Sequence, residues 1–143
     1  MSKPILNYTT QIKEEKTLSE IQSALARHGA TAILAEYDSS TLSSVSFKIR
    51  TPHGIVSFRL PANIDGVFSC LKKNSRVPKR LRTKEQASRV AWRIIKDWIL
   101  AQLAIVSADI ADLEEVFLPY AQLPSGDTLY EHFLQQPKLL NLE

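Results

Sequence analysis

The amino-acid sequence predicts an α+β domain, a small and mostly antiparallel sheet packed by helices, on three observations. Val45, Phe47 and Ile49 alternate with Ser46, Lys48 and Arg50, and beyond Pro52-His53-Gly54 a second run places Val56, Phe58 and Leu60 on one side. That is the pattern of a β-hairpin with one apolar face. From Lys84 to about Ser107 no Gly or Pro interrupts a helix that opens on Thr83-Lys84-Glu85-Gln86, a capping-box pattern in which side chains satisfy the orphan amides of the first turn. Finally, 143 residues with 44% hydrophobic and 23% charged side chains suit one globular domain spanning 1–143, large enough for its own core and too small for two.

The remaining elements follow along the chain. Leu6 to Ile12 is rich in β-branched and aromatic residues and predicts a first strand. Thr17-Leu18-Ser19-Glu20 is another capping-box pattern, and Leu18, Ile21, Ala24, Leu25 and His28 recur at helical spacing until Gly29, a residue suited to a left-handed helix end. Thr31 to Tyr37 is a nearly continuous apolar run, expected of a strand covered on at least one face. Pro61 closes the hairpin, and a short helix with Ile64, Val67, Phe68 and Leu71 follows, capped by Asn63. The expected order is therefore β-α-β-β-β-α-α, with a long helix in the C-terminal half and an irregular acidic tail.

Several functional classes find no support. No apolar run approaches the roughly 18 to 20 residues of a membrane span, and Met1-Ser2-Lys3-Pro4 leads into no signal-peptide core; a cytoplasmic location is the expectation. The single cysteine, Cys70, excludes an intramolecular disulfide and a cysteine-based zinc site, and its place in the short helix predicts a buried, inert thiol. His28, His53 and His132 are scattered, and His28 beside its helix-ending glycine reads as structural. There is no Gly-x-Ser-x-Gly and no phosphate loop. Asp109, Asp112, Glu114 and Glu115 read as an acidic surface. The sequence thus predicts no catalytic residue, no metal and no cofactor, and a protein that is not an enzyme.

Charge is the strongest functional signal. Net charge is +3, but residues 1–71 carry +1, residues 72–96 carry +9 and residues 97–143 carry −7. Charge of one sign at that density repels itself unless something opposes it, either the acidic tail or an anionic partner. A loop with Lys72, Lys73, Arg76, Lys79, Arg80 and Arg82 feeds a helix whose polar side carries Arg89, Arg93 and Lys96. At 1.5 Å per helical residue this makes a positive stripe of roughly 25 Å or more, suited to a phosphate backbone. In this reading Lys79, Arg80, Arg82, Arg89, Arg93 and Lys96 contact phosphates while Trp92, at the edge of the apolar arc, and Tyr8 offer stacking. Trp98 falls in the middle of that arc and reads as core. On the same reading, replacing Arg89 and Arg93 by Glu removes anion binding and spares the fold.

The second half of the long helix is apolar nearly all round, since Leu100, Leu103 and Ala104 fall on the arc that is polar one turn earlier. Such a segment needs cover from the acidic C-terminal segment or from a second subunit. Leu100, Leu103 and Ala104 are accordingly the candidate interface of a homodimer or larger assembly, with Val116, Phe117, Tyr120, Leu129, Tyr130 and Phe133 as candidate cover from within the chain.

The run Arg89 to Trp98, followed by Ala101-Gln102-Leu103-Ala104, Val116-Phe117-Leu118-Pro119-Tyr120 and, upstream, Phe58-Arg59-Leu60-Pro61, resembles a family of small uncharacterised proteins from bacterial and phage genomes. The resemblance extends over most of the chain. It transfers no functional residue and implies a phage or mobile-element setting. The expected function is electrostatic binding of nucleic acid, DNA or RNA. The alternative is an interaction or inhibitor protein, for example a host-defence antagonist, docking its basic stripe on an acidic protein or a nucleotide ligand.

Overall fold

The computed structural model describes residues 2–142. One antiparallel sheet, in the order β1-β2-β3, is formed by β1 (Ala30–Asp38), β2 (Thr41–Thr51) and β3 (Gly54–Pro61). The hairpin register pairs Val45 with Leu60, Phe47 with Phe58 and Ile49 with Val56, so both alternating runs turn their apolar side chains to the same face. Against that face lie α1 (Glu14–Arg27) and α3 (Lys84–Ser107), with α2 (Ile64–Lys73) packed on the first turns of α3. Two short helices, α4 (Leu113–Phe117) and α5 (Leu129–Gln135), complete the α+β arrangement.

The cap of α2 forms as the sequence predicts, and the capping box of α3 forms in its Thr83 half only, because the Gln86 side chain turns to Tyr8, Thr10 and Arg89 and does not reach back to the Thr83 amide. Asn63 Oδ1 accepts from the Gly66 amide at 2.9 Å, and Thr83 Oγ1 accepts from the Gln86 amide at 3.1 Å. Gly29 ends α1 with φ +99, a conformation that costs other residues steric strain. The adjoining His28 braces the same end, with Nδ1 3.0 Å from the Ala24 carbonyl and Nε2 3.1 Å from Ser107 Oγ.

The N-terminus differs from expectation. Residues 6–9 form turns and not a strand, and the tail expected to be irregular holds the two short capped helices α4 and α5, so the order is α-β-β-β-α-α-α-α. The reason for the missing strand is tertiary: Gln86 Nε2 donates to the carbonyls of Tyr8 at 2.8 Å and Thr10 at 2.9 Å, taking up acceptors that a ladder would use. Ile5 and Tyr8 pack instead on a cluster made by Leu71, Val77, Leu81 and Ala87. Helix α1 also starts earlier, after Lys13, with Glu14 and Glu15 in the first turn where they favour the helix dipole. Thr17 is therefore no cap. It is buried inside α1, and its hydroxyl accepts from Arg93.

The main core lies between the sheet, α1, α3 and the C-terminal segment. Phe117 from α4 inserts against Phe47 (centroids 5.5 Å apart, near-perpendicular) and Phe58 (5.9 Å), and Trp98 meets it edge-on at 5.4 Å. The segment then adds to the outer edge of β3. The Gln122 amide donates to the Ser57 carbonyl at 2.7 Å, and Ser57 Oγ donates to Gln122 Oε1 at 2.7 Å. Cover for the inward side of the second half of α3, Ile99 and Leu103, thus comes from the chain itself, through Leu113 and Phe117.

Of the two tryptophans, Trp98 packs on the core as expected, against Phe117 and Tyr120, whereas Trp92 departs from its expected place at the edge of the apolar arc. Trp92 is fully buried and its Nε1–H donates to the Leu42 carbonyl at 3.1 Å, while Trp98 is partly buried. Ser88, Trp92, Ile99 and Leu103 are buried along one stripe of α3; that stripe, displaced from the arc drawn from hydrophobicity alone, faces the sheet. Cys70 is exposed, contrary to the buried thiol expected, because α2 turns Leu71 inward and the neighbouring position outward.

Candidate nucleic-acid interface

The loop between α2 and α3 is braced from within. Asn74 Oδ1 accepts from the Arg76 amide at 2.9 Å, Asn74 Nδ2 donates to the Ser2 carbonyl at 3.0 Å, and Val77 and Leu81 are buried beneath the loop. Arg82 Nε donates to the Val77 carbonyl at 2.9 Å, and its Nη2 reaches the Ser75 carbonyl at 3.4 Å. These bonds turn Arg82 into a strut of the loop. What the loop presents outward is Arg76, Lys79 and Arg80, beside Lys72 and Lys73 at the C-terminal end of α2, all five exposed. The Lys72 ammonium stands 4.3 Å from the centre of the Phe68 ring, a cation–π contact that leaves its charge uncancelled.

Two of the three cations expected in the helical half of the stripe, Arg93 and Lys96, are neutralised from inside. Arg93 pairs with Glu20 on α1 and also donates to Thr17, with its side chain only 12% exposed. Lys96 pairs with Asp97 at 2.9 Å and is 13% exposed. Burial pushes the Asp97 carboxyl up, but the Asn7 amide at 2.9 Å and the Lys96 and Arg93 charges outweigh it and hold the group below its ordinary value. Arg89 is half-exposed, its Nε donating to Gln86 Oε1 at 3.2 Å. Trp92, having no exposed surface, cannot stack on a base.

Of the expected site, Lys79 and Arg80 stand free, Arg89 is partly buried and bonded to Gln86, and Arg82, Arg93, Lys96 and Trp92 serve the fold. Lys72, Lys73 and Arg76 join the free group. Among the described residues none of those five cations forms an ion pair; the pairs present are Arg59–Glu36, Lys84–Asp65, Arg93–Glu20 and Lys96–Asp97. The acidic C-terminal segment therefore does not neutralise the loop.

Arg93→Glu consequently destabilises the protein, because it sets a carboxylate against Glu20 in a nearly closed site and removes the donor to buried Thr17. A loss of about 2–3 kcal/mol is expected from urea denaturation, discounted from the cost of breaking a fully buried pair because Glu20 is partly exposed. An unchanged midpoint would return Arg93 to the solvated surface.

The expected oligomer surface on α3 also breaks up. Leu103 is 2% exposed and belongs to the core, whereas Leu100, 40% exposed, and Ala104 face outward.

One feature escaped sequence reading, an open groove of roughly 660 Å³ between the polar face of the sheet and the start of α5. Ala32, Leu34, Ser46, Lys48, Ser57 and Arg59 belong to its floor and walls, and Asp127 and Glu131 close its far side. Glu36 accepts from Ser44 Oγ at 2.8 Å and from Arg59 Nε at 3.3 Å, bonds that hold its carboxyl below the usual range. Glu131 is held low by the Thr128 amide and hydroxyl and by the Arg59 charge. The signal was the polar half of the hairpin alternation, Ser44, Ser46, Ser57 and Arg59. It is the pattern of any solvated sheet face, which is why it did not stand out.

No described helix is long and apolar enough to cross a membrane, and no group of three or more His, Cys, Asp or Glu among the described residues is arranged to hold a metal. The chain matches no protein-family model, no curated protein and no solved structure.

Proposed function

We propose that this is a non-enzymatic protein that binds nucleic acid through the phosphate backbone, with Lys72, Lys73, Arg76, Lys79 and Arg80 as the contacting cations and Arg89 on α3 as a further one. The observation that carries the reading is that these five exposed charges, on a loop held rigid by Asn74, Arg82, Val77 and Leu81, have no acidic partner among the described residues. Phosphate is the anion such a patch is suited to, and the ordered loop lowers the entropy lost on binding. With Trp92 in the core, binding rests on charge and carries little base specificity. A cytoplasmic setting and a phage or mobile-element origin accord with this reading.

Fluorescence anisotropy with labelled duplex DNA, single-stranded DNA and RNA tests it. Neutralising about five phosphates predicts a fall in affinity of roughly 10²–10³-fold between about 50 and about 200 mM salt. Lys79→Glu with Arg80→Glu should lower affinity, flatten the salt slope by about two units and leave the thermal melt unchanged, since both side chains are solvated. Absence of binding at the lower salt would refute the proposal.

A second reading is favoured by the C-terminal segment, where Tyr130, Leu134, Leu139 and Leu140 are exposed. Apolar groups so placed fit a protein partner, and an inhibitor or interaction protein would use them with the basic loop against an acidic surface. Its mark is a complex that persists when free DNA or RNA is added.

A further inference from the structure

The two edges of the sheet are treated differently. The outer edge of β3 is covered at its middle by the chain's own Ala121 and Gln122, through a bridge to Phe58 and a backbone hydrogen bond to Ser57. Strand β1 pairs with β2 alone, and no other described segment makes a backbone hydrogen bond to it. It is nine residues long, carries no Lys, Arg or Pro, and has no charge before Glu36, while Leu34 is 59% exposed and Tyr37 58%. Natural edge strands are ordinarily guarded by such residues or covered by another element. Register irregularities lie at both ends of β1, between Ala30 and Ala32 and between Glu36 and Tyr37. They leave Ala32 to Glu36 as the regular stretch.

We infer that β1 is the dimer seam of this protein, pairing antiparallel with β1 of a second copy about a two-fold axis at Leu34, so that two three-stranded sheets become one of six strands. Charge selects the occupant. Pairing Leu34 with Leu34 sets Glu36 of each copy beside the partner's Ala32, and Ala32 is itself paired with exposed Lys48. The partner's Lys48 then lies two strand spacings from Glu36, about 10 Å between backbones and within reach of the two side chains. Glu36 is prepared for it, because Ser44 and Arg59 both bond Oε1 and leave Oε2 without a partner among the described residues. The antiparallel arrangement also keeps the two acidic ends, Glu36 and Asp38, apart. The same pairing lays the open grooves of the two copies side by side across Leu34.

Light scattering on the full chain at about 100 µM, a concentration suited to a small interface, should give twice 16.1 kDa for the wild type. Leu34→Lys, which sets two ammonium groups face to face at the seam, should return the mass to 16.1 kDa with unchanged far-UV circular dichroism. Lys48→Glu should weaken the dimer at least tenfold, and Glu36→Lys with Lys48→Glu should restore part of that loss. A monomeric wild type, or a Leu34→Lys variant that stays dimeric, overturns the inference. Should Leu34→Lys fail to fold, Leu34→Cys in a Cys70→Ser background decides. Directly opposed Cα atoms stand about 4.5–5.5 Å apart, within disulfide range, so mild oxidation should cross-link the wild-type-like dimer, and no cross-link means no such seam.

Discussion

Leu103→Glu abolishes the folded state. Leu103 is buried in the main core with Ile99, Leu113 and Phe117, so the substitution removes a packed side chain, at about 2–5 kcal/mol, and leaves a carboxylate with no cation placed to receive it, at several kcal/mol more. Together these approach the whole stability of a domain, about 5–15 kcal/mol. The control is three residues away: Leu100→Glu, on the exposed side of the same helix, should change stability by no more than about 0.5 kcal/mol. Circular dichroism with urea titration separates the two. A folded, monomeric Leu103→Glu would show that the end of α3 is an interface and not core.

Phe117→Ala should cost about 3–5 kcal/mol, the range for deleting a fully buried aromatic ring. Phe117 is the common neighbour of Phe47, Phe58 and Trp98, so its removal leaves a cavity between the hairpin and α3 that three rings cannot all collapse to fill. The loss should couple to Phe58→Ala by about 0.5–1.5 kcal/mol in a double-mutant cycle, since the two rings touch. It should leave affinity for nucleic acid unchanged at temperatures where the variant is folded, because the basic loop packs on the separate cluster of Leu71, Val77, Leu81 and Ala87. A loss below about 1 kcal/mol would mean that the C-terminal segment is only loosely applied to the core.

The parts of the fold legible in the sequence are those determined by near neighbours. The β2–β3 hairpin, with Phe47 opposite Phe58, follows from alternation and a short turn. The starts of α2 and α3 follow from Asn63 and Thr83 acting within three residues. The errors come from partners far along the chain. Leu6 to Ile12 has strand-like composition, but the side chain of Gln86 captures its backbone. Thr17 and Glu20 spell a cap, but Arg93 uses both. A helical wheel gives the angle between Trp92 and Trp98 but not which sides of α3 are covered; the buried indole donates to Leu42, fifty residues distant. The same division runs through the site. The +9 block was plain in the composition, whereas its separation into a free loop and two neutralised helix cations depends on Glu20, Asn7 and Asp97 meeting Arg93 and Lys96 in space.

The join between the C-terminal segment and the hairpin bears on how the protein is made. Strands β2 and β3 are complete once Pro61 is synthesised, yet the ring that fills the space beside them, Phe117, and the Gln122 amide that covers the middle of the β3 edge come much later in the chain. At about 5–20 residues per second of translation, the apolar face holding Phe47 and Phe58 waits roughly 3–12 s for its last partner. During that interval the nascent chain carries a sheet with both edges open and its aromatic centre uncovered on one side. On this reasoning the ribosome-bound chain, more than the finished protein, should expose the aromatic face that a chaperone would hold.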